Sequence, residues 1–517
     1  MASSICDVKK YYMSEQEILK IVSEVLQIDP HKLPERLVRD LVKITGIVVD
    51  LAKRILKGAR LELENILRGL SGQYIEPGPS GSPFRGRLDI FPTGRNFYSF
   101  DPLKIPTSAA WEVGVKLAEK IIQKYLEEHG KYPETIAIVE WCIDPFKSDG
   151  EGIAQILYLL GTRPVWDPES GVVLDVEPIP LKELGRPRID VLVRVDGIFR
   201  DTTPNLMALI DKAVKKVASL DEPPEMNYVR KHVLERVKEL KSSGLSDSEA
   251  FRIATYRVFS ERPSAYGAGV NYAVYASAWR TREDLAEVWI EWSSYAYGEE
   301  GRPVKVPDQL KHILKTVDLT FEKLETDEFD ILDCCCFFAY HGGMHAAVET
   351  ARGEKIPAYF GDSRDPERVT VRRMEDEIER VVRSRLLNPQ WIEGKMRHGF
   401  KGAAEIAERI GRVYGWAATA GVVRDWIFNE IANTFILNEN MRNWFINVNI
   451  YALEEITRRL LEAAQRGIWK APQEILEKLR EIYSEIDARL EGEIIEGEHQ
   501  GGTIVTITRR DLERTSS

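Results

Sequence analysis

The sequence predicts an α/β protein in which a largely parallel sheet layer is flanked by extensive helical N-terminal and C-terminal regions. Three observations predict it. Between Trp111 and about residue 218, short apolar runs alternate with amphipathic helical patterns, the spacing expected of β-α-β units. Residues 14 to about 70 carry apolar side chains at helical spacing. After "DSRDPERVTV" the same periodicity continues almost unbroken to about residue 495.

Taken in order, "EQEILKIVSEVL" puts Ile18, Ile21, Val22 and Val25 on one stripe, and "DLAKRILKGARLELENILRGL" continues the helical pattern to Gly72, a glycine of the kind that closes helices. Two or three helices are expected here. A Pro/Gly-rich stretch follows, "EPGPSGSPFRGRLDIFPTGRNFYSFDP", with enough aromatic residues to predict an ordered loop packed on a surface. Then come a helix at roughly 108–128, the strand "TIAIVEW", and the helix "SDGEGIAQILYLLG" with Ser148 or Asp149 as N-cap. "RPVWD", "GVVLDVEPIP" and "RIDVLVRV" read as strands, and Pro204 opens the helix "TTPNLMALIDKAVKKVASL". Residues 225–257 and 282–296 read as helical. The last long helix puts Leu476, Leu479, Tyr483, Ile486 and Leu490 on one face.

These shifts divide the chain into five parts. They are an N-terminal helical segment (1–72), an α/β core opening on the ordered loop (73–300), a connecting α/β segment with a Cys/His cluster (301–364), a C-terminal helical domain (365–495) and a tail (496–517) in which "GTIVTITRR" adds a strand.

With 44% hydrophobic and 30% charged residues and a net charge of −11, the chain reads as a soluble protein and not as a general binder of nucleic-acid backbones. "ITGIVVDLAKRIL" is interrupted by Asp50, Lys53 and Arg54 and is too short to span a bilayer. "MASSICDVKKYY" lacks the apolar core of a signal peptide. Five cysteines, three of them consecutive, do not make a disulfide framework, so a cytoplasmic location is expected. No G-x-x-x-x-G-K-[ST] loop occurs, and no G-x-S-x-G, H-E-x-x-H or dinucleotide fingerprint.

Three places carry chemistry. In "PTGRNFYSFDP", Arg95 and Asn96 offer a guanidinium fork and an amide to a carboxylate, or else tie the loop to its own carbonyls. In "FRDTTPN", at a strand-to-helix junction on the ligand edge of an open sheet, Arg200 and Asp201 either meet a ligand or pair with each other. "RPSAYGAGVN" adds Tyr266 and Asn271 at a glycine turn. The third place is "DCCCFFAYHGGMH", three of the five cysteines and two of the eight histidines within thirteen residues. Read as an extended segment, Cys334, Cys335 and Cys336 point alternately to opposite faces, so at most two reach one ion. Steps of four put His341, His345 and Glu349 on one helical face, a candidate metal set, although Gly342 and Gly343 start that helix and leave His341 just outside it. The readings are core packing, a metal or tetrapyrrole contact, and a redox switch, with packing expected of the cysteines.

The segments "PTGRNFYSFDPLKIPTSAAWEVG", "GIAQILYLLGTRPVWD", "PLKELGRPRIDVLVRVDGIFRDTTPNLMALID", "RVFSERPSAYGAGVN", "GDSRDPERVTVR" and "LNPQWIEGKMRHGFKGAAEIAERI" resemble, in this order, the large subunit of aerobic-type cobaltochelatase. The related H subunit of magnesium chelatase is similar. The resemblance runs from about residue 60 to about 490. It implies a chain that binds a tetrapyrrole, takes cobalt or magnesium as substrate, and relies on separate AAA+ ATPase subunits for ATP, with no cofactor of its own and no nucleic-acid or membrane partner. Arg95, Asn96, Arg200, Asp201 and Tyr266 are then the substrate-binding candidates. Members of that family are more than twice as long, and the resemblance covers only their C-terminal part. Their His-Gly-x-x-Glu-x-x-Pro-Gly-Lys motif is missing, "HGGMHAAVE" having His345 where the glutamate belongs. The resemblance therefore implies half of a split subunit whose N-terminal half comes from another polypeptide. The alternative is a non-catalytic tetrapyrrole or metal chaperone on the same scaffold. Before the "GG" the family usually carries acidic and tyrosine residues, so no family role transfers to the cysteines.

Overall fold

The computed structural model describes residues 14–494 apart from 28, 30, 31, 84, 85 and 99; the "GTIVTITRR" strand expected in the tail lies outside these. The chain divides into two compact units, Met1–Asp101 and Pro102–Ser517. The division falls after the Pro/Gly-rich loop, where the composition shift had suggested residue 72.

In the first unit two helices fill the expected region. Glu15–Leu26 starts on a capping box, Ser14 Oγ accepting from Glu17 N at 3.3 Å while Ser14 N donates to Glu17 Oε2 at 2.7 Å. It buries Ile18 and Val22 against Val42 of the 36-residue helix Glu35–Leu70, whereas Val25 is exposed. The loop that follows is ordered by a short parallel pairing of Pro77–Pro79 with Asn96–Tyr98.

The second unit is built on an eight-stranded sheet. Its strands are β1 (Thr135–Glu140), β2 (Asp190–Val195), β3 (Val258–Ser260), β4 (Tyr295–Ala296), β5 (Val304–Lys305), β6 (Val317–Leu324), β7 (Ala358–Asp362) and β8 (Thr370–Arg373). They lie in the order β8-β7-β6-β1-β2-β3-β4-β5. The five from β7 to β3 are parallel and the three at the edges antiparallel. Every position of β1, β2 and β6 is buried, as strands covered on both faces must be. The chain lays down β1, β2 and β3 in one direction and then returns to place β6 and β7 on the other side of β1. The segment set apart by sequence as a connector therefore supplies the middle of the sheet. "RPVWD" and "GVVLDVEPIP" instead form a separate antiparallel pair, Thr162–Trp166 with Val173–Pro178. The helix expected from "SDGEGIAQILYLLG" begins at Glu151 with Gly150 as N-cap, not Ser148 or Asp149; the Ser148 hydroxyl is bonded to Asp144 instead.

Helices from Met374 to Ile494 complete the core. The last of them, Gln473–Ile494, buries Leu479 and Ile486. No helix among the described residues is long and apolar enough to cross a membrane.

Candidate functional site

In an open parallel sheet, the strand order reverses between two neighbours, and the carboxyl ends of those strands frame the usual ligand crevice. Here the neighbours are β1 and β6, and both end in charge. Glu140 is the last residue of β1, Asp144 sits in the turn of helix after it, and β6 closes with Glu322 and Lys323 before Glu325. All five are buried. The Lys323 ammonium lies 2.8 Å from Asp144 Oδ1, 3.0 Å from Glu325 Oε2 and 3.7 Å from Glu151 Oε2. It also donates to Ser148 Oγ at 3.3 Å. Asp144 Oδ1 accepts further from Ser148 Oγ at 2.7 Å and from Gly152 N at 2.9 Å, and Ser363 Oγ donates to Glu151 Oε2 at 2.6 Å. A Cβ on Gly152 would stand 2.2 Å from Glu140 Oε2, so only glycine lets this carboxyl occupy its place.

Protonation follows from this geometry. Burial, then the neighbouring Asp144 charge, pushes Glu140 well above the usual carboxylate range. Burial opposes ionisation of Asp144 too, but the Lys323 ammonium outweighs it and holds Asp144 below its ordinary value. Lys323 is disfavoured by burial yet pushed up by Asp144, Glu325 and Glu151. The result is a carboxylic acid beside a carboxylate, with Lys323 where a cation would otherwise sit. The opposite shifts of the two neighbours set them apart, Glu140 towards the acid and Asp144 towards the carboxylate.

One layer away a polar chain crosses the core. Thr320 Oγ1, on β6, lies 2.9 Å from both His341 Nε2 and His345 Nδ1. His341 Nδ1 is 3.4 Å from Glu322 Oε1, and His345 Nε2 is 3.3 Å from Glu349 Oε1, which Arg282 pairs. His341, His345 and Glu349 thus do lie on one helix face, but strung along it around a threonine. They are not among the sets whose donor atoms close on a common point. The helix also begins earlier than expected. It runs without a break through Cys335–Phe337, a π turn at Phe338–Gly342, and Gly343–Arg352, so His341 is inside it. Gly342 is required by a neighbour rather than by a helix start: a Cβ there would meet Thr419 Oγ1 at 2.1 Å. Burial presses His345 down to about 4, leaving it neutral at pH 7. Burial also works against a charged Glu349, but the His345 hydrogen bond and Arg282 hold that carboxylate at about 2.

The other sequence candidates divide by unit. In the first, Arg95 donates from Nε to Pro92 O at 2.9 Å and from Nη2 to Ile90 O at 2.9 Å and Asp89 O at 3.2 Å, the loop-tying arrangement. Asn96 opens its strand by donating its backbone N–H to Glu76 O. In the second, Arg200, Asp201 and Tyr266 come together. Arg200 grips Asp201 through two bonds of 2.7 and 2.9 Å and gives Nη1 to the carbonyls of Glu261, Arg262 and Ala265. The Tyr266 hydroxyl donates to Asp201 Oδ2 at 2.7 Å. Arg200 and Asp201 border an open cavity of about 420 Å³, walled by Pro204, Met207, Ala208 and Pro263. With its donors committed to the fold, Arg200→Ala is expected to cost roughly 1.5–3 kcal/mol of stability, the range for hydrogen bonds to charged groups. Urea unfolding measures it, and an unchanged midpoint would return the guanidinium to ligand duty.

Sequence reasoning missed Glu140, Asp144, Glu151, Glu322, Lys323 and Glu325. The signal was present in "TIAIVEWCID" and "VDLTFEKLE", apolar runs that end abruptly in charge.

In open α/β sheets the reversal point is the usual place for a ligand, and here it gathers charged groups. The family model described as CobN/Magnesium Chelatase matches residues 7–476, and the chain belongs to that family. It is 51% identical over 502 residues to the uncharacterized protein MJ1441 of Methanocaldococcus jannaschii, covering 96% of this chain and 39% of that one. It is 42% identical over 410 residues to the aerobic cobaltochelatase subunit CobN of Sinorhizobium sp, covering 79% and 32%. Among solved structures, the catalytic subunit of cobaltochelatase from Mycobacterium tuberculosis superposes with a TM-score of 0.83 at 37% identity, over 91% of this chain and 40% of that one. The chain spans about a third to two-fifths of the length of such relatives.

Proposed function

We propose that this chain forms the C-terminal portion of the tetrapyrrole-binding body of a metal chelatase and that Glu140 and Asp144 handle the protons which metal insertion displaces. The buried acid–carboxylate pair at the sheet's reversal point carries the reading. Placing a divalent ion in a tetrapyrrole expels two pyrrole protons, so the body needs an acceptor held ready in the unprotonated form. Asp144, kept ionised by Lys323, has that form, and Glu140 is the neutral neighbour through which the proton is shared. Family membership supports the substrate class, cobalt or magnesium and a tetrapyrrole. A further segment, corresponding to the larger part of the relatives that this chain does not match, completes the substrate cleft; in the split arrangement it is a separate polypeptide. AAA+ partner subunits supply ATP hydrolysis, and the free thiols of Cys142 and Cys334–Cys336 suit the reducing cytoplasm.

Purified chain given a tetrapyrrole, cobalt and ATP is expected to yield no metallated product, and addition of the complementary segment and ATPase subunits to restore it. In the restored system Glu140→Gln should lower the rate by about 10²-fold or more, the usual share of a positioned acid–base group, with tetrapyrrole affinity retained. Turnover by the isolated chain would overturn the division of labour, and an undiminished rate in Glu140→Gln the proton role. Tetrapyrrole binding without turnover in every reconstitution would favour the chaperone.

A further inference from the structure

Cys334, Cys335 and Cys336 do not alternate as an extended segment would. Cys334 is extended, with φ −135° and ψ 141°, and forms the N-cap of the helix that begins at Cys335. Its Sγ accepts the N–H of Cys336 at 3.3 Å. The strand-to-helix change at this point swings the next two side chains round towards the first, and all three Sγ atoms lie within 4.8 Å of one another. Among the described residues no other set of three histidine, cysteine or acidic side chains draws its donor atoms so close.

The spacing suits one ion. Metal–thiolate bonds of about 2.3 Å put three sulfurs roughly 3.8 Å apart in a tetrahedral shell and about 4.0 Å apart in a planar one. Rotation about the Cα–Cβ bonds covers that difference without moving backbone. The three side chains are half-buried, accessible from outside yet sheltered by the hydrophobic core on which they pack. The Arg412 guanidinium, anchored on Leu332 O at 3.2 Å and Glu408 Oε2 at 3.1 Å, acts electrostatically on Cys334 and Cys335. Asn271 Nδ2 reaches Cys335 Sγ at 3.7 Å. A divalent ion on three thiolates leaves one net negative charge, which the arginine offsets.

We propose that Cys334, Cys335 and Cys336 form a three-sulfur site for a thiophilic divalent transition-metal ion, with a fourth position left to water or an incoming ligand. Soft sulfur donors select cobalt, zinc or cadmium and reject magnesium, which holds to oxygen ligands and its own water. Binding forms three metal–sulfur bonds and releases to solvent whatever thiol protons remain, so the affinity rises with pH. The site does not depend on the chelatase reading and can be tested apart from it.

The probe is cobalt(II) added to the reduced chain under anaerobic conditions. One ion per chain is expected, with the charge-transfer absorption of cobalt–thiolate bonds and with three cysteines protected from a thiol reagent. Cys335→Ser and Cys336→Ser should each weaken binding by more than the roughly 100-fold that loss of an outer-shell partner costs. Cys142→Ser, which changes the other free thiol of the second unit, should leave binding unchanged. X-ray absorption on the unmodified zinc-loaded chain gives a readout free of folding effects, with three sulfurs at about 2.3 Å. A shell of nitrogen and oxygen alone, absent thiolate absorption, magnesium competing at equal concentration, or equal loss in Cys142→Ser would each overturn the site.

Discussion

Replacing Lys323 by methionine is expected to destabilise the protein by roughly 3–5 kcal/mol at pH 7, the cost of removing one partner from a buried ionic group. Methionine fills the volume of the lysine stem, so lost packing contributes little. What is lost is the ammonium shared by Asp144, Glu151 and Glu325, all three carboxylates being buried. Asp144 also accepts from the Ser148 hydroxyl and the Gly152 N–H, and Glu151 from the Ser363 hydroxyl, and none of these three donors carries charge. The sign of the pH dependence follows. In the variant Asp144 keeps the burial that opposes its ionisation and loses the ammonium that outweighs it, so its carboxyl titrates above its unfolded value and the folded chain gains stability as pH falls through that range. The wild type moves the other way, because Asp144 is held below its ordinary value by Lys323 and its contribution is lost on acidification. The two stabilities should therefore converge as pH is lowered from 7 towards 4. Adding Asp144→Asn to the variant should recover part of the loss at pH 7. A cost under 1 kcal/mol, or a gap that widens in acid, would mean that Lys323 is not the counter-ion of this cluster. Guanidinium unfolding at several pH values measures both quantities.

The fold was legible where one physical rule acted alone. The six buried residues of β1 and of β2 read as strands because apolar runs of that length between helices have few other outcomes. β3, β4 and β5 were not legible, since two or three residues carry no period, and their pairing is fixed by the sheet to which they add. β6 was hidden by its charged residues: "VDLTFEKL" interrupts its apolar pattern with Asp318, Glu322 and Lys323, which in isolation argue for solvent. Only tertiary structure shows that each meets a partner from elsewhere in the chain, Asp318 facing Arg352, Glu322 facing His341 and Lys323 facing Asp144. The cysteine cluster failed for a related reason. A period-two argument assumed a strand, whereas the N-cap conformation of Cys334 changes the period between one residue and the next. Arg200 and Asp201 were read at a strand-to-helix junction and Tyr266 at a separate glycine turn; the structure brings the three together, but nothing in one sequence tells a guanidinium that holds a ligand from one that holds its own loop.

The acid sensitivity of the fold should trace largely to His345. Burial first, only partly offset by Glu349, depresses its pKa from 6.5 to about 4, and a shift of that size corresponds to about 3 kcal/mol. The unfolded histidine takes up a proton below pH 6.5, while the folded one resists until about 4. Unfolding therefore absorbs a proton in between, and stability present above pH 6.5 drains away as pH falls through that window. The groups facing the ring are Thr320, His341, Glu349 and, behind the carboxylate, Arg282. Glu349 titrates at about 2 and loses its contribution mostly below the window. His312, also pressed by burial to about 4, adds a share of the same sign. His232 opposes them: burial works against its charge, but Asp190 and Glu134 raise its pKa, so its contribution is whole below 6.5 and fades as pH rises. Glutamine at position 345 keeps an amide within reach of Thr320 and Glu349 but does not titrate. In His345→Gln the fall in unfolding free energy between pH 7 and pH 4 should shrink by about 3 kcal/mol, and His312→Gln should remove a separate and smaller part. If the acid limb of His345→Gln overlays that of the wild type, the imidazole is not held neutral in the core. The core would then hold a protonated imidazole between Thr320 and Glu349, a charge that its burial opposes.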